Sequence, residues 1–204
     1  MSEAHEQEGV TRFVLEHTEA QPLEAPAVDE VCAARDACVT LGVVGREDDR
    51  YDGYGFGNVS VRHADAFVIT GTQTGGVARL RPEHVALVTE AHPEENRVRS
   101  EGPVAPSSES MTHAVVYTER PDVQAIIHGH HPGIWQRRAE LGLPCTDAAV
   151  TYGTPEMAEA VAALVREGAD AFAMDGHVDG FVTVGADVPS AMTALVELLD
   201  RLPR

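Results

Sequence analysis

The sequence predicts an α/β fold in one layered domain, and three observations predict it. Its 204 residues, 43% hydrophobic and 24% charged, suffice for a single domain with a sizeable core. Apolar runs of helical period and of strand period alternate along the chain, with no internal repeat and no low-complexity linker. Gly and Pro punctuate the runs where turns are needed.

Taken in order, residues 1–26 carry three breaks, Gly9, Pro22 and Pro26, around the short apolar run Val10 to Leu15. They read as an N-terminal arm or edge strand, and residues 27–204 as the domain. Val28, Val31, Cys32 and Val39 keep a helical period that Gly42 stops. Asn58 to Arg62 and Ala66 to Thr70 are β-rich runs joined by a polar turn, and a turn-rich loop, Gly71 to Gly76, follows. No element is assigned between Val77 and Ala105. Ser107 is placed as the N-cap of a helix to about Arg120, with Met111, Ala114, Val115 and Thr118 inward. A strand over Val123 to His128 comes next. Thr154 and Pro155 then open a helix that buries Met157, Val161, Leu164 and Val165. Two further β-runs, Ala171 to Met174 and Gly180 to Val184, precede a last helix. It begins near Asp187 and Pro189, with Met192, Leu195, Val196 and Leu199 inward.

Charge narrows the partners. Fifteen basic against 33 acidic side chains give a net charge of -18, which repels nucleic-acid phosphates and anionic lipid. No nucleic acid and no membrane is expected as a partner. Every basic side chain is Arg, so a lysine Schiff base on a carbonyl substrate is excluded. Cys32, Cys38 and Cys145 are an odd number without CxxC spacing, which reads as buried thiols in a reducing compartment. Met1 to Gly9 is acidic and polar where a signal peptide needs a basic start, so a cytoplasmic location is expected.

The chemistry-bearing residues come in clusters. His128 and His130 end a strand two residues apart, so both project from one face while His131 points to the other. That is half of a metal site. His177 lies in a glycine-flanked turn between two strands and is the candidate third ligand. Three neutral imidazoles suit zinc, and Mn, Fe, Co or Ni would also accept them. His5, His17, His63, His84 and His92 fall in polar or terminal stretches, and His113 sits mid-helix as a core contact. Glu109 lies in the first turn of its helix, where the dipole alone would favour an acid. The stretches Gly57-Asn58-Val59-Ser60 and Thr70 to Gly76 offer hydroxyls and backbone N–H groups to an anion, or serve as plain turns.

The order of these pieces carries a resemblance. Gly57-Asn58-Val59-Ser60-Val61-Arg62, Ile69-Thr70-Gly71-Thr72, Pro106-Ser107-Ser108-Glu109, His113 with Tyr117, His128-Gly129-His130-His131-Pro132 and Gly176-His177 succeed one another over most of the chain. This series resembles the class II aldolase/adducin family, in a short branch near its sugar-phosphate aldolases and epimerases. The resemblance implies a three-layer α/β/α sandwich around a central mixed, largely antiparallel sheet, assembled as a homotetramer. It implies that His128, His130 and His177 bind a divalent metal and that Glu109 is the acid/base or a further ligand. Asn58, Ser60, Thr70, Gly71, Ser107 and Ser108 would contact the phosphate and hydroxyls of a small-molecule substrate.

The expected function is a metal-dependent lyase or isomerase working through a metal-stabilised enediolate of a small hydroxy-carbonyl or sugar-phosphate compound. An iron-dependent oxygenase on the same scaffold and a non-catalytic, adducin-like interaction module are the alternatives. Relative to the family's phosphate aldolases, Gly55 replaces a hydroxyl residue and the stretch from His130 to Pro144-Cys145 is short. A C-terminal tail covering the site, as in those aldolases, is not expected after Arg204.

Overall fold

The computed structural model describes residues 10–203; the acidic N-terminal stretch and His5 lie outside them. In chain order the elements are β1 (Val14–Glu19), α1 (Pro26–Thr40), β2 (Gly45–Arg46), β3 (Gly55–Phe56), β4 (Asn58–His63), β5 (Ala66–Thr70), β6 (Val85–His92), β7 (Arg97–Gly102), α2 (Ser110–Glu119), β8 (Ala125–His130), α3 (Pro132–Gln136), α4 (Pro155–Arg166), β9 (Ala171–Ala173), β10 (Gly180–Gly185) and α5 (Val188–Asp200). Eight strands form one mixed sheet in the order β1-β7-β6-β5-β4-β8-β10-β9. Among the described strand pairs of this sheet, only β1–β7 is parallel.

Period-2 alternation divides the core into two layers. On one face Ile69, Ile126 and Val182 pack under α2 and α4; on the other Val59, Val68, Ile127 and Phe181 pack under α1, α3 and α5. The architecture is therefore a three-layer α/β/α sandwich with a largely antiparallel sheet. Central β8 is buried along its whole length, including both of its histidines. Anything those imidazoles do, they do at the base of the α2/α4 layer, not on the surface.

Several expectations shift. The Val10 to Leu15 run yields an edge strand that starts at Val14 and lies parallel to β7. Ser107 does not cap α2: the helix starts at Ser110, and the Ser107 hydroxyl accepts the Glu109 N–H at 3.3 Å in a preceding turn. Strand β8 runs two residues beyond His128, so His130 belongs to it. On α1, Val39 is exposed, and Ala34, Arg35 and Cys38 are buried instead. On α5, Val196 is exposed and Leu198 buried; Thr118 of α2 is likewise exposed. Of the cysteines only Cys38 is fully buried. Where expected, Thr154 caps α4 by accepting the Met157 N–H, and Asp187 caps α5.

A buried histidine cluster beside a polar loop pocket

Strand alternation places the first two ligand-type nitrogens. His128 and His130 share the face of Ile126, and their Nε2 atoms lie 3.1 Å apart. His177 comes from the β9–β10 turn, which is closed by two backbone bonds, His177 N to Met174 O and Gly180 N to His177 O, each 2.9 Å. Two glycines make that approach feasible. A Cβ on Gly176 would meet the Val150 carbonyl oxygen at 1.8 Å, and one on Gly180 would press on the His177 and His128 rings at 3.2 and 3.4 Å. One ligand atom from each histidine falls within 4.8 Å of the others, and all three side chains are buried.

The donor chemistry fits a divalent cation. The His128 Nδ1 lies 3.0 Å from the Phe181 carbonyl oxygen. A carbonyl only accepts, so Nδ1–H donates to it and Nε2 keeps its lone pair for the cluster. Burial, with His177 adding to it, holds the His128 and His130 imidazoles well below their usual range, in the neutral form that ligates metal. Aromatic rings fix the imidazoles from outside. Tyr51 meets His130 edge-on at 4.9 Å between centroids, and its hydroxyl donates to Asp179 Oδ2 at 2.7 Å, two residues from His177.

Glu109 faces this cluster. Glu109 is the N-cap residue of α2, at the helix start as expected, and its side chain makes no capping bond; Oε1 lies 3.5 Å from His177 Nδ1, and Oε2 accepts the Thr112 hydroxyl at 3.1 Å. Beside it, Asn58, Gly71, Ser107 and Ser108 line a small polar pocket together with Thr72, Gln73, Thr74 and Gly75. Asn58 pairs in register with His128, and Ser108 precedes Glu109, so pocket and histidine cluster share a border.

Ser60 and Thr70 do not line the pocket. Ser60 lies deeper along β4, its hydroxyl bonded to His113 Nδ1 at 2.7 Å and to the Tyr117 hydroxyl at 2.8 Å. Thr70 follows the face of Val68, on the α1 side, and its hydroxyl accepts the Val59 N–H at 3.4 Å. Of the other described histidines, His131 Nδ1 accepts the Gly133 and Ile134 N–H groups as the cap of α3, and His17 bonds Ser100.

The family model described as the Class II Aldolase and Adducin N-terminal domain matches residues 47–202. The chain belongs to the class II aldolase and adducin family. It is 33% identical over 128 residues to L-fuculose phosphate aldolase of Escherichia coli K12, covering 54% of this chain and 55% of that enzyme. The chain thus spans about half the length of that curated relative. It is 32% identical over 161 residues to 5-methylthioribulose-1-phosphate/5-deoxyribulose-1-phosphate aldolase of Rhodospirillum rubrum, covering 70% of this chain and 66% of that one.

Among solved structures, an L-fuculose 1-phosphate aldolase superposes with a TM-score of 0.65 at 22% identity, over 87% of this chain and 83% of that chain. The l-fuculose-1-phosphate aldolase of Thermus thermophilus gives 0.59 at 22% identity, over 89% and 100%. These neighbours share the class II aldolase fold. No described helix is long and apolar enough to cross a membrane.

Proposed function

We propose that this chain is a divalent-metal-dependent, aldolase-like lyase or isomerase of the class II aldolase family, acting on a small hydroxy-carbonyl compound that carries a phosphate. The observation that carries the reading is the convergence of His128, His130 and His177 beside the buried Glu109 carboxylate. A metal bound there supplies a Lewis acid that polarises a carbonyl and its neighbouring hydroxyl. Zinc is the proposed ion, because neutral nitrogen donors in a tight group suit it.

The chain's own residues have distinct tasks. The Thr112 hydroxyl holds one oxygen of Glu109, which orients the other toward His177 and the substrate side, where it takes or returns a proton. Asn58, Ser107 and Ser108, with the Gln73 to Gly75 backbone, bind the phosphate, and Gly71 stands in the pocket wall. Burial of the cluster excludes water from the carbanion-like charge that cleavage or deprotonation leaves behind. A homotetramer in the cytoplasm is the proposed setting, following the family.

The test is elemental analysis of the purified chain joined to a metal-supplemented screen of ketose phosphates, hydroxy-aldehydes and aldonic acids. About one zinc per chain with cleavage or isomerisation of a phosphorylated ketose is expected. Metal-free protein that neither takes up zinc nor turns over any of these compounds would overturn the reading.

A further inference from the structure

Among the described residues, the charged side chain most completely removed from water belongs to neither the histidine cluster nor the pocket lining. Arg35, on α1, is 1% exposed, and its buried neighbours on that helix, Ala27, Val28, Val31, Ala34 and Cys38, are all apolar or nearly so. A buried guanidinium is costly unless its donors are filled. Here one loop takes both terminal nitrogens, while Nε is buried without a partner. Nη1 donates to the Val77 carbonyl at 2.6 Å, and Nη2 donates to the Thr74 and Gly75 carbonyls at 2.7 and 2.9 Å. Asp36 completes the clamp: one oxygen accepts both Arg35 Nη1 and the Leu80 N–H, each at 3.1 Å.

Two consequences follow for the pocket. A trans peptide sets each N–H antiparallel to the preceding C=O. Drawing the Thr74 carbonyl toward Arg35 therefore turns the Gly75 N–H away from α1, and Gly75 lines the pocket. Arg35 arrives from the α1 face of the sheet, whereas Asn58 stands on the opposite face. The loop lies between the cation and the pocket. The Asp36 side chain is 32% exposed, so water screens the negative end of the pair while the guanidinium stays buried. The cationic end of the pair is the end buried behind the loop.

We infer that Arg35 is a positioning residue for anion binding: from behind the Gly71 to Val77 loop it turns the Gly75 amide toward the pocket and places a buried guanidinium where it favours a phosphate there. This rests on the reading of the pocket as the phosphate site. It adds a residue outside the pocket wall, and it explains an arginine on an otherwise apolar helix face.

The experiment uses inorganic phosphate as the probe in equilibrium dialysis at fixed ionic strength, on the full chain and its Ser107→Ala, Arg35→Gln and Arg35→Lys variants. Cobalt uptake at the histidine cluster is recorded in parallel from its visible spectrum. Arg35→Gln is expected to weaken phosphate binding by about tenfold or more, because charge-assisted donors to the loop are lost. Arg35→Lys, which keeps the charge but not the fork, is expected to fall between it and the parent chain. Cobalt uptake is expected to stay unchanged in both.

Phosphate binding equal to the parent's in a folded Arg35→Gln chain overturns the inference while leaving the pocket reading intact. If Arg35→Gln does not fold, parent-like binding in Arg35→Lys overturns it instead. A uniform loss of phosphate and cobalt binding marks Arg35 as merely structural and also overturns it. No phosphate binding by the parent chain, or none lost in Ser107→Ala, overturns the pocket reading and this inference with it.

Discussion

The Tyr152 ring lies stacked on the His177 imidazole, 4.5 Å between centroids and 23° between planes. Both side chains are buried, and the Arg12 guanidinium packs on the Tyr152 ring at 4.5 Å. His177 is the one ligand-type residue that comes from a turn, so its ring orientation depends on such neighbours more than those of His128 and His130, which a central strand fixes. Replacing Tyr152 by Ala removes that wall. The expected result is a stability loss of about 3–5 kcal/mol, typical of large aromatic deletions in a core, together with weaker cobalt binding. Tyr152→Phe keeps the stacked ring and is expected to hold cobalt within about twofold of the parent, since ring contact rather than the hydroxyl sets the orientation. Equal cobalt affinity in a folded Tyr152→Ala chain would show that the turn alone orients His177.

Much of this site was legible because it follows strand periodicity. His128 and His130 fall two apart on one strand, and the turn between two β-runs brings His177 to them. Thr70 failed for the same reason: register puts it on the face of Val68, away from Asn58, and a motif read without strand faces cannot show that. β6 and β7 were missed because the buried positions of β7 are Val98, Ser100 and Gly102, of which only one is apolar. A bulge between Val88 and Glu90 further breaks the alternation of β6. Arg35 was illegible because a helical period records only apolar residues, and an arginine among them reads as solvent-facing until its carbonyl partners are seen.

Single substitutions should separate the histidines. His128→Ala, His130→Ala and His177→Ala are each expected to abolish stoichiometric zinc uptake, because each removes one of three converging donors. His131→Ala is expected to retain zinc, since its Nδ1 faces the α3 amides at 3.1 and 3.3 Å. It should cost about 0.5–2 kcal/mol for the lost helix cap. Zinc content by plasma emission and urea melts read both outcomes; a His131→Ala chain without zinc would refute the division by strand face.

His113 sets a pH dependence. Its Nδ1 is bonded to Ser60 and burial pushes the imidazole down to about 3. An unfolded histidine titrates near 6.5. The folded value is the lower one, so as pH falls the unfolded chain takes up the proton first. Stability is therefore complete above about 6.5 and is lost progressively toward about 3. Between pH 7 and pH 5 this one group accounts for about 2 kcal/mol. Urea midpoints of metal-free parent and His113→Gln chains at the two pH values test it. The variant is expected to lose less on acidification by about that amount, and parallel losses would assign the effect to other groups.

Glu109 separates a capping acid from a catalytic one. Its carboxylate makes no capping bond, yet it is buried with one oxygen held by Thr112 and the other 3.5 Å from His177. A helix-start acid replaced by Gln loses only a dipole contribution of about 0.3–1 kcal/mol, and turnover does not change. A proton-transfer group cannot be replaced this way, because the amide has no proton affinity near neutral pH. Losses on the order of 10²–10⁴ in rate are then expected. Glu109→Gln keeps the size of the side chain and its acceptor for Thr112, so the fold and the zinc content should persist. Glu109→Asp retains the carboxylate but draws it back by one methylene, and is expected to recover part of the rate with an altered pH profile. Measured on whichever phosphorylated substrate the screen yields, near-normal turnover in folded, zinc-loaded Glu109→Gln would remove the acid/base role and leave the metal alone to carry the chemistry.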